Sequence, residues 1–229
     1  SEKKGIFSNA KTFQVVGILG KGKFGTVFKV SNDDNQEFAI KIGEISPREL
    51  EVMSLIRDNY PNLVGAKATF SLSNSRNAII MDVHGQELFD LLLSVQYSKQ
   101  ERYIILTDLA RGVKDLHKLG YAHIDIKAEN VLCTLDKKRY VIGDFGMATC
   151  DELSCIPCGS PNYVAPEVIR STPYDPFKAD IWSLGVLFYV TLMVEFPYDN
   201  IETLIQDQIA ASLSKVRAIY GPKVTYLLS

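Results

Sequence analysis

His123-Ile124-Asp125-Ile126-Lys127-Ala128-Glu129-Asn130, followed fourteen residues after the asparagine by Asp144-Phe145-Gly146, is the stretch on which the reading of this 229-residue chain turns. It brings two carboxylates, a carboxamide and a lysine into one short span. Asp and Asn oxygens are hard ligands that suit Mg²⁺, an ion held by one or two carboxylates together with substrate phosphates. A further Asp can accept the proton of an attacking alcohol, and a lysine can neutralise a phosphoryl group in transit. These are the parts that phosphoryl transfer requires.

Upstream, residues 12 to 42 are rich in β-branched and aromatic types, with turn punctuation at Gly20-Lys21-Gly22 and Ser31-Asn32-Asp33-Asp34-Asn35. That pattern predicts a meander of short strands. Pro47-Arg48-Glu49 opens a helical stretch with Pro61 as its stop, and Ala78-Ile79-Ile80-Met81 reads as a strand. Long helical patterns follow over Gln86 to Ser94 and Gln100 to Leu119, which places a boundary near Asp82 to Gly85. The glycines at 20, 22 and 25 lead into the strand-like Thr26-Val27-Phe28-Lys29-Val30, whereas a dinucleotide-binding turn or a P-loop leads into a helix. A strand–glycines–strand hairpin can instead close its backbone over phosphates with no side chains in the way.

The opening stretch resembles the catalytic loop and metal-binding motif of eukaryotic protein kinases, HRDxKxxN and DFG. Gly20-Lys21-Gly22-Lys23-Phe24-Gly25-Thr26-Val27 resembles the glycine-rich loop of that family, and Ala39-Ile40-Lys41 its VAIK. Gly159-Ser160-Pro161-Asn162-Tyr163-Val164-Ala165-Pro166-Glu167 is similar to GTxxYxAPE, and Asp180-Ile181-Trp182-Ser183-Leu184-Gly185 to DxWSLG. The matches run in family order from about Gly20 to Tyr198.

The resemblance implies an α+β bilobal fold: a tail over 1–10, a β-rich N-terminal lobe over 11–83, and a helical, shortened C-terminal lobe over 84–229. It implies ATP with Mg²⁺, Mn²⁺ being the substitute, and a serine or threonine of a protein as acceptor. Lys41 would contact the α and β phosphates, held by Glu49 or Glu51; aligning Leu50, Val52, Met53 and Leu55 with the family's helix favours Glu49. Asp125 would take the hydroxyl proton, Lys127 would meet the γ-phosphate, and Asn130 and Asp144 would hold the metal. Gly20, Lys21, Gly22, Lys23, Phe24, Gly25, Val27, Ala39, Asp82, Glu87 and Leu132 would complete the nucleotide site. Lys127 and Ser160 resemble serine/threonine kinases, and Cys158 to Val168 looks closest to the calcium/calmodulin- and energy-sensor types. Glu129 matches a position that in many such kinases faces a basic residue of the substrate. His123 would be a packing residue, and His84 and His117 structural.

Departures from the pattern carry their own expectations. Ile124 stands where the family has an arginine that pairs with a phosphorylated loop, and Ile156 aligns with the usual phosphosite, with Thr149 and Ser154 close by. Both halves of the phosphate switch are missing, so activity without loop phosphorylation is expected. The arginine that pairs with the Ala-Pro-Glu glutamate, here Glu167, has only Arg217 as a candidate.

Bulk properties set the outer limits. Lys+Arg 25 against Asp+Glu 27 leaves no basic excess that would favour nucleic acid as the main partner. The apolar run from Ile181 to Val194 is shorter than the roughly 20 residues a bilayer requires and reads as a buried helix. Polar Ser1-Glu2-Lys3-Lys4 lacks secretory character, and four cysteines favour a reducing compartment, the cytoplasm with the nucleus as alternative. Cys150, Cys155 and Cys158 crowd together, but only one pair has metal-ligand spacing and no His lies near. Oligomeric state stays open. Two competing functions share parts of the pattern. A small-molecule kinase would lack the Gly159 to Glu167 platform, and a pseudokinase would show damage at Lys41, Asp125, Asn130 or Asp144.

Overall fold

A computed structural model describes residues 12–22, 25–170, 173–199 and 206–228, the side chains of 206 and 207 excepted. The expected tail over 1–10 lies outside these residues, as do Lys23 and Phe24. The meander is present as β1 (Gln14–Gly22), β2 (Gly25–Ser31) and β3 (Glu37–Gly43). Asn32 shapes the β2–β3 turn by accepting the Asp34 and Gln36 N–H groups on its side-chain oxygen at 3.0 and 2.8 Å. Next come β4 (Ala68–Ser71) and β5 (Asn77–Met81), giving one antiparallel sheet in the order β1-β2-β3-β5-β4.

Register decides which way Lys41 points. On β3 it sits between Val27 of β2 and Ile79 of β5, on the face opposite Ile40. Ile40 packs with Val30, Ala78 and Ile80 in a small outer cluster, while Ala39, Ile79 and Met81 belong to the main core. The period of two along the strand thereby delivers Lys41 to the inner face.

Helix α1 (Pro47–Ile56) starts where Ser46 accepts the Glu49 N–H at 3.1 Å and Pro47 fills the first position. It ends before the expected stop at Pro61. Arg57 turns to φ 43° and bonds back to Met53 O, and Gly65 packs so closely on the Arg57 backbone that no Cβ would fit. Likewise α2 (Leu88–Ser94) begins two residues later than the pattern predicts, because Gln86 O accepts the Cys133 N–H at 3.0 Å. Helix α3 (Lys99–Lys118) opens on a capping box between Ser98 and Glu101. Strands β6 (Val131–Cys133) and β7 (Tyr140–Ile142) form a second, two-stranded sheet.

After the four-residue α4 (Pro166–Ile169), helix α5 (Pro176–Met193) carries the apolar run and is buried on nearly all sides. Asp175 caps it by accepting the Phe177 and Lys178 N–H groups. The closing helices α6 (Gln206–Tyr220) and α7 (Pro222–Tyr226) cover it: Tyr220 donates to Leu192 O at 2.8 Å and stacks edge-on to Tyr103, while Val216 is fully buried. Among the described residues, Arg217 makes no ion pair with Glu167. None of the described helices is long and apolar enough to cross a membrane.

Leu187, near the middle of α5, is fully buried in the main core. Leu187→Ala should cost about 2–5 kcal/mol through lost contact and a residual cavity. At roughly 2–4 °C per kcal/mol for a chain of this size, thermal melts should show a clear drop, and an unchanged midpoint would contradict the packing described.

Candidate active site

A cleft of about 520 Å³ lies between the five-stranded sheet and the β6–β7 ribbon. Its walls include Gly20, Lys21, Gly22, Gly25, Val27, Ala39, Lys41, Asp82, Glu87, Asn130, Leu132 and Asp144, every described member of the sequence-derived nucleotide set. Also on the wall are Met53, Val64, Met81 and Gly143, positions that carry no polar signature and that sequence reasoning passed over. The glycine hairpin comes close to its neighbour strand: a Cβ on Gly25 would stand 2.6 Å from Ile42 O. Gly20 has open space instead, room for a ligand to meet bare backbone.

Lys41 Nζ donates to Glu49 Oε1 at 2.5 Å, and Asp144 Oδ1 lies 3.6 Å from the same nitrogen. Glu49 is buried and Glu51 is exposed, so helix phase settles which glutamate reaches the lysine. Burial pushes the Glu49 carboxyl up, against the opposing pull of Lys41. Asp144 itself takes a left-handed conformation, φ 57°, at the head of a 3₁₀ turn over Phe145–Met147. Phe145 is fully buried in the core that also holds Met53 and Ile56 of α1, so the turn and the helix bearing Glu49 are packed together.

Asp125 lies in a network that is dense for so short a loop. Lys127 Nζ reaches its Oδ2 at 2.7 Å, Ser160 Oγ donates to its Oδ1 at 2.8 Å, and Lys127 Nζ also donates to Ser160 Oγ at 2.9 Å. Asn130 Nδ2 donates to Asp125 O at 2.8 Å, which leaves the carboxamide oxygen on the cleft wall as a free acceptor. Burial alone would raise the Asp125 carboxyl, but the bonds from Lys127 and Ser160 outweigh it and hold the group below the ordinary carboxylate range. Ser160 stood out in the sequence only as a marker of kinase type; its place between Asp125 and Lys127 comes from the fold.

Behind this loop, His123 Nδ1 accepts the Asp125 N–H at 3.3 Å, so the ring proton sits on Nε2, facing Gly143 O at 2.9 Å. The ring is fully buried against Phe145, as a packing residue would be. His117 bonds Asp180, whereas His84 reaches the cleft wall. Asp180, 1% exposed, accepts the backbone N–H groups of His123 at 2.7 Å and Ile124 at 2.8 Å. The sequence marked Asp180 only as part of a motif, with no role attached.

The donor set fits a hard divalent cation and a polyphosphate. The Asp144 carboxylate and the Asn130 carboxamide border the cleft, with Lys41 beside Asp144 and the glycine hairpin on the same wall. No group of three or more His, Cys, Asp or Glu among the described residues could hold a metal by itself, and all four cysteines are free.

A family model for the protein kinase domain matches residues 13–226. The chain belongs to the protein kinase family. Over 213 residues, 84% of the chain, it is 34% identical to CBL-interacting protein kinase 21 of Oryza sativa subsp. japonica, covering 40% of that protein. It is 32% identical over 236 residues, 96% of the chain, to serine/threonine-protein kinase DCLK2 of Mus musculus, covering 31% of it. A third relative, serine/threonine-protein kinase CG17528 of Drosophila melanogaster, is 29% identical over 88% of the chain and is covered to 29%. The chain thus spans well under half the length of these relatives. Kinases of this family use ATP and a divalent metal in general, and the cleft has the features such a pair needs.

A lowered Asp125 pKa has a definite sign. Ionisation contributes stability that is fully present above the ordinary value of about 3.9 and is lost as pH falls through the lower folded value. Carboxyl titration by ¹³C NMR should therefore show Asp125 ionised throughout pH 5–8, and a midpoint above 4 would contradict the network.

Proposed function

We propose that the chain is a protein serine/threonine kinase that transfers the γ-phosphoryl group of ATP to a Ser or Thr hydroxyl of a protein, with Mg²⁺ or Mn²⁺ as the metal. The observation that carries this reading is the Asp125 carboxylate, kept ionised by Lys127 and Ser160 and bonded by Asn130, which lines the cleft together with Asp144. When bound, Mg·ATP supplies the phosphoryl group and a metal that offsets its charge. Lys41, fixed by Glu49, would hold the α and β phosphates, and Asn130 and Asp144 would ligate the metal. Asp125 would orient the acceptor hydroxyl and take its proton, while Lys127 would meet the charge developing on the γ-phosphate. The same reading divides the chain into a tail over 1–10 and lobes over 11–83 and 84–229, and the free cysteines fit a reducing compartment, cytoplasm or nucleus.

Substrate chemistry has a support of its own. Glu129 Oε2 is buried with no hydrogen-bond partner, and Glu87 and Asp90 line the cleft with it. Burial first, then the charges of Asp90 and Glu129, push the Glu87 carboxyl up. Three carboxylates in one corner, one with an orphaned oxygen, suit a guanidinium, whose fork matches carboxylate geometry. We propose an acceptor peptide with an arginine near the phosphorylated residue. Glu129→Gln should lower kcat/KM for an arginine-containing peptide at least tenfold while changing that for an arginine-free peptide less than threefold, and equal losses on both would count against the assignment.

Two substitutions separate binding from chemistry. Asp144→Asn should weaken Mg·ATP binding and transfer together, because carboxylate charge offsets that of the metal. Asp125→Asn should leave Mg·ATP affinity nearly intact while slowing single-turnover transfer by roughly 10²–10⁴. If wild-type protein binds Mg·ATP yet phosphorylates no protein or peptide, and Asp125→Asn changes nothing, a pseudokinase-like nucleotide-binding or interaction module replaces the enzyme.

A further inference from the structure

The segment between the Asp144 turn and Ser160 has almost no core to hold it. From Asp151 to Pro157 every residue except Ser154 is exposed, Leu153 and Ile156 by 64% and 70%. Yet the segment must end in register, because Ser160, two residues past Cys158, is the hydroxyl that bonds both Asp125 and Lys127. Gly159 is tight as well: at φ 96° a Cβ there would stand 2.8 Å from Ile124 O. A phosphate could order such a segment only through an arginine or similar base, and position 124 offers an isoleucine.

Tyr174 supplies contacts at three points of this segment. Its backbone exchanges two hydrogen bonds with Ser154, each 2.9 Å, as an isolated antiparallel bridge. Its hydroxyl donates to Ile156 O at 2.8 Å and lies 3.4 Å from Cys158 Sγ. Among the described residues, only Tyr174 ties 152–158 to the rest of the chain by hydrogen bonds, its side chain also meeting that of Ser154. The Tyr174 ring is 3% exposed and packs with Val164, Ala165, Val168 and Ala179, below the segment that carries Pro166 and Glu167. We infer that Tyr174 is a positioning residue that holds the segment from Ser154 to Ser160 open and in register without phosphorylation, doing through a buried phenol what a phosphate–arginine pair would otherwise do. Burial first, and the hydrogen bond with Cys158 second, push its pKa up to about 12, so the hydroxyl stays a donor across physiological pH.

This inference rests on the kinase reading for its catalytic consequence, so the test reads the segment directly as well as transfer. Tyr174→Phe removes the hydroxyl contacts and keeps the ring in its cluster. In protein shown by mass spectrometry to carry no phosphate, hydrogen–deuterium exchange over 153–158 should speed up about tenfold, the worth of one buried hydrogen bond, with exchange in α5 unchanged. In the same variant KM for a Ser/Thr peptide should rise about fivefold to tenfold while Mg·ATP affinity stays within twofold, a split that general destabilisation would not produce. Cys158→Ala, which keeps the Ile156 bond, should change exchange and KM less than threefold. Unchanged exchange over 153–158 in Tyr174→Phe, faster exchange throughout the protein, or a full-sized effect from Cys158→Ala would each overturn the role. If the wild type phosphorylates nothing, the function proposed above falls, and the exchange experiment still decides the role of Tyr174.

Discussion

One buried carboxylate ties helix α5 to the loop that carries Asp125. Asp180 leaves the N-terminal part of α5 and accepts the backbone N–H groups of His123 and Ile124, with the His117 ring on the same oxygen as His123. A carboxylate this deep is tolerable only because charge-assisted bonds occupy both oxygens. In return it pins two successive peptide groups and holds Ile124 at φ 72°, a conformation that a β-branched residue does not adopt unaided. The strain sits at the residue just before Asp125, where backbone direction decides where its carboxylate points.

From Asp180 the order propagates by short steps. His123, fixed through its N–H, passes a ring hydrogen bond to Gly143 O, the residue before Asp144, and stacks against Phe145. Phe145 packs into the core that holds α1, and α1 carries Glu49 to Lys41 on the sheet. Val64 and Asn62 add backbone bonds to Ile142, both 2.9 Å, that fasten the segment after α1 to β7. Groups from the sheet, from α1 and from two loops thus share one cleft with little freedom, the condition for electrostatic stabilisation without reorganisation.

The segment from Asp151 to Ser160 is built differently. There the chain relies on a few hydrogen bonds across an exposed segment, with Ser160 bonded to Asp125 at one end and Tyr174 holding the middle. Such a segment sits at the low-stability end of the molecule, where a substitution of one hydroxyl is felt locally. The orphaned Glu129 oxygen belongs instead to the 3₁₀ turn over Ala128–Asn130, a buried acceptor left without a partner.

Much of this was legible in the sequence because it depends on local rules. The alternation that sends Lys41 inward, the Pro47 start of α1, the all-round apolarity of α5 and the spacing from Asp125 to Asn130 to Asp144 are periods, helix starts and short spacings, which one-dimensional order fixes. The belonging to the kinase family and the α+β architecture followed from the same motifs. Tertiary structure decided the remainder. Helix α1 stops at Ile56 because Gly65 folds back on Arg57, and α2 starts late because Gln86 is held by β6. The choice of Glu49 over Glu51 waits on the helix being docked, and Ser160 meets Asp125 across 35 residues of chain. Nothing in the sequence singled out Tyr174, whose partners lie 16 to 20 residues back in an exposed segment. Contacts of that span leave no periodic trace in the sequence, because packing against α5 and the sheet brings them together, not the spacing of the residues that make them.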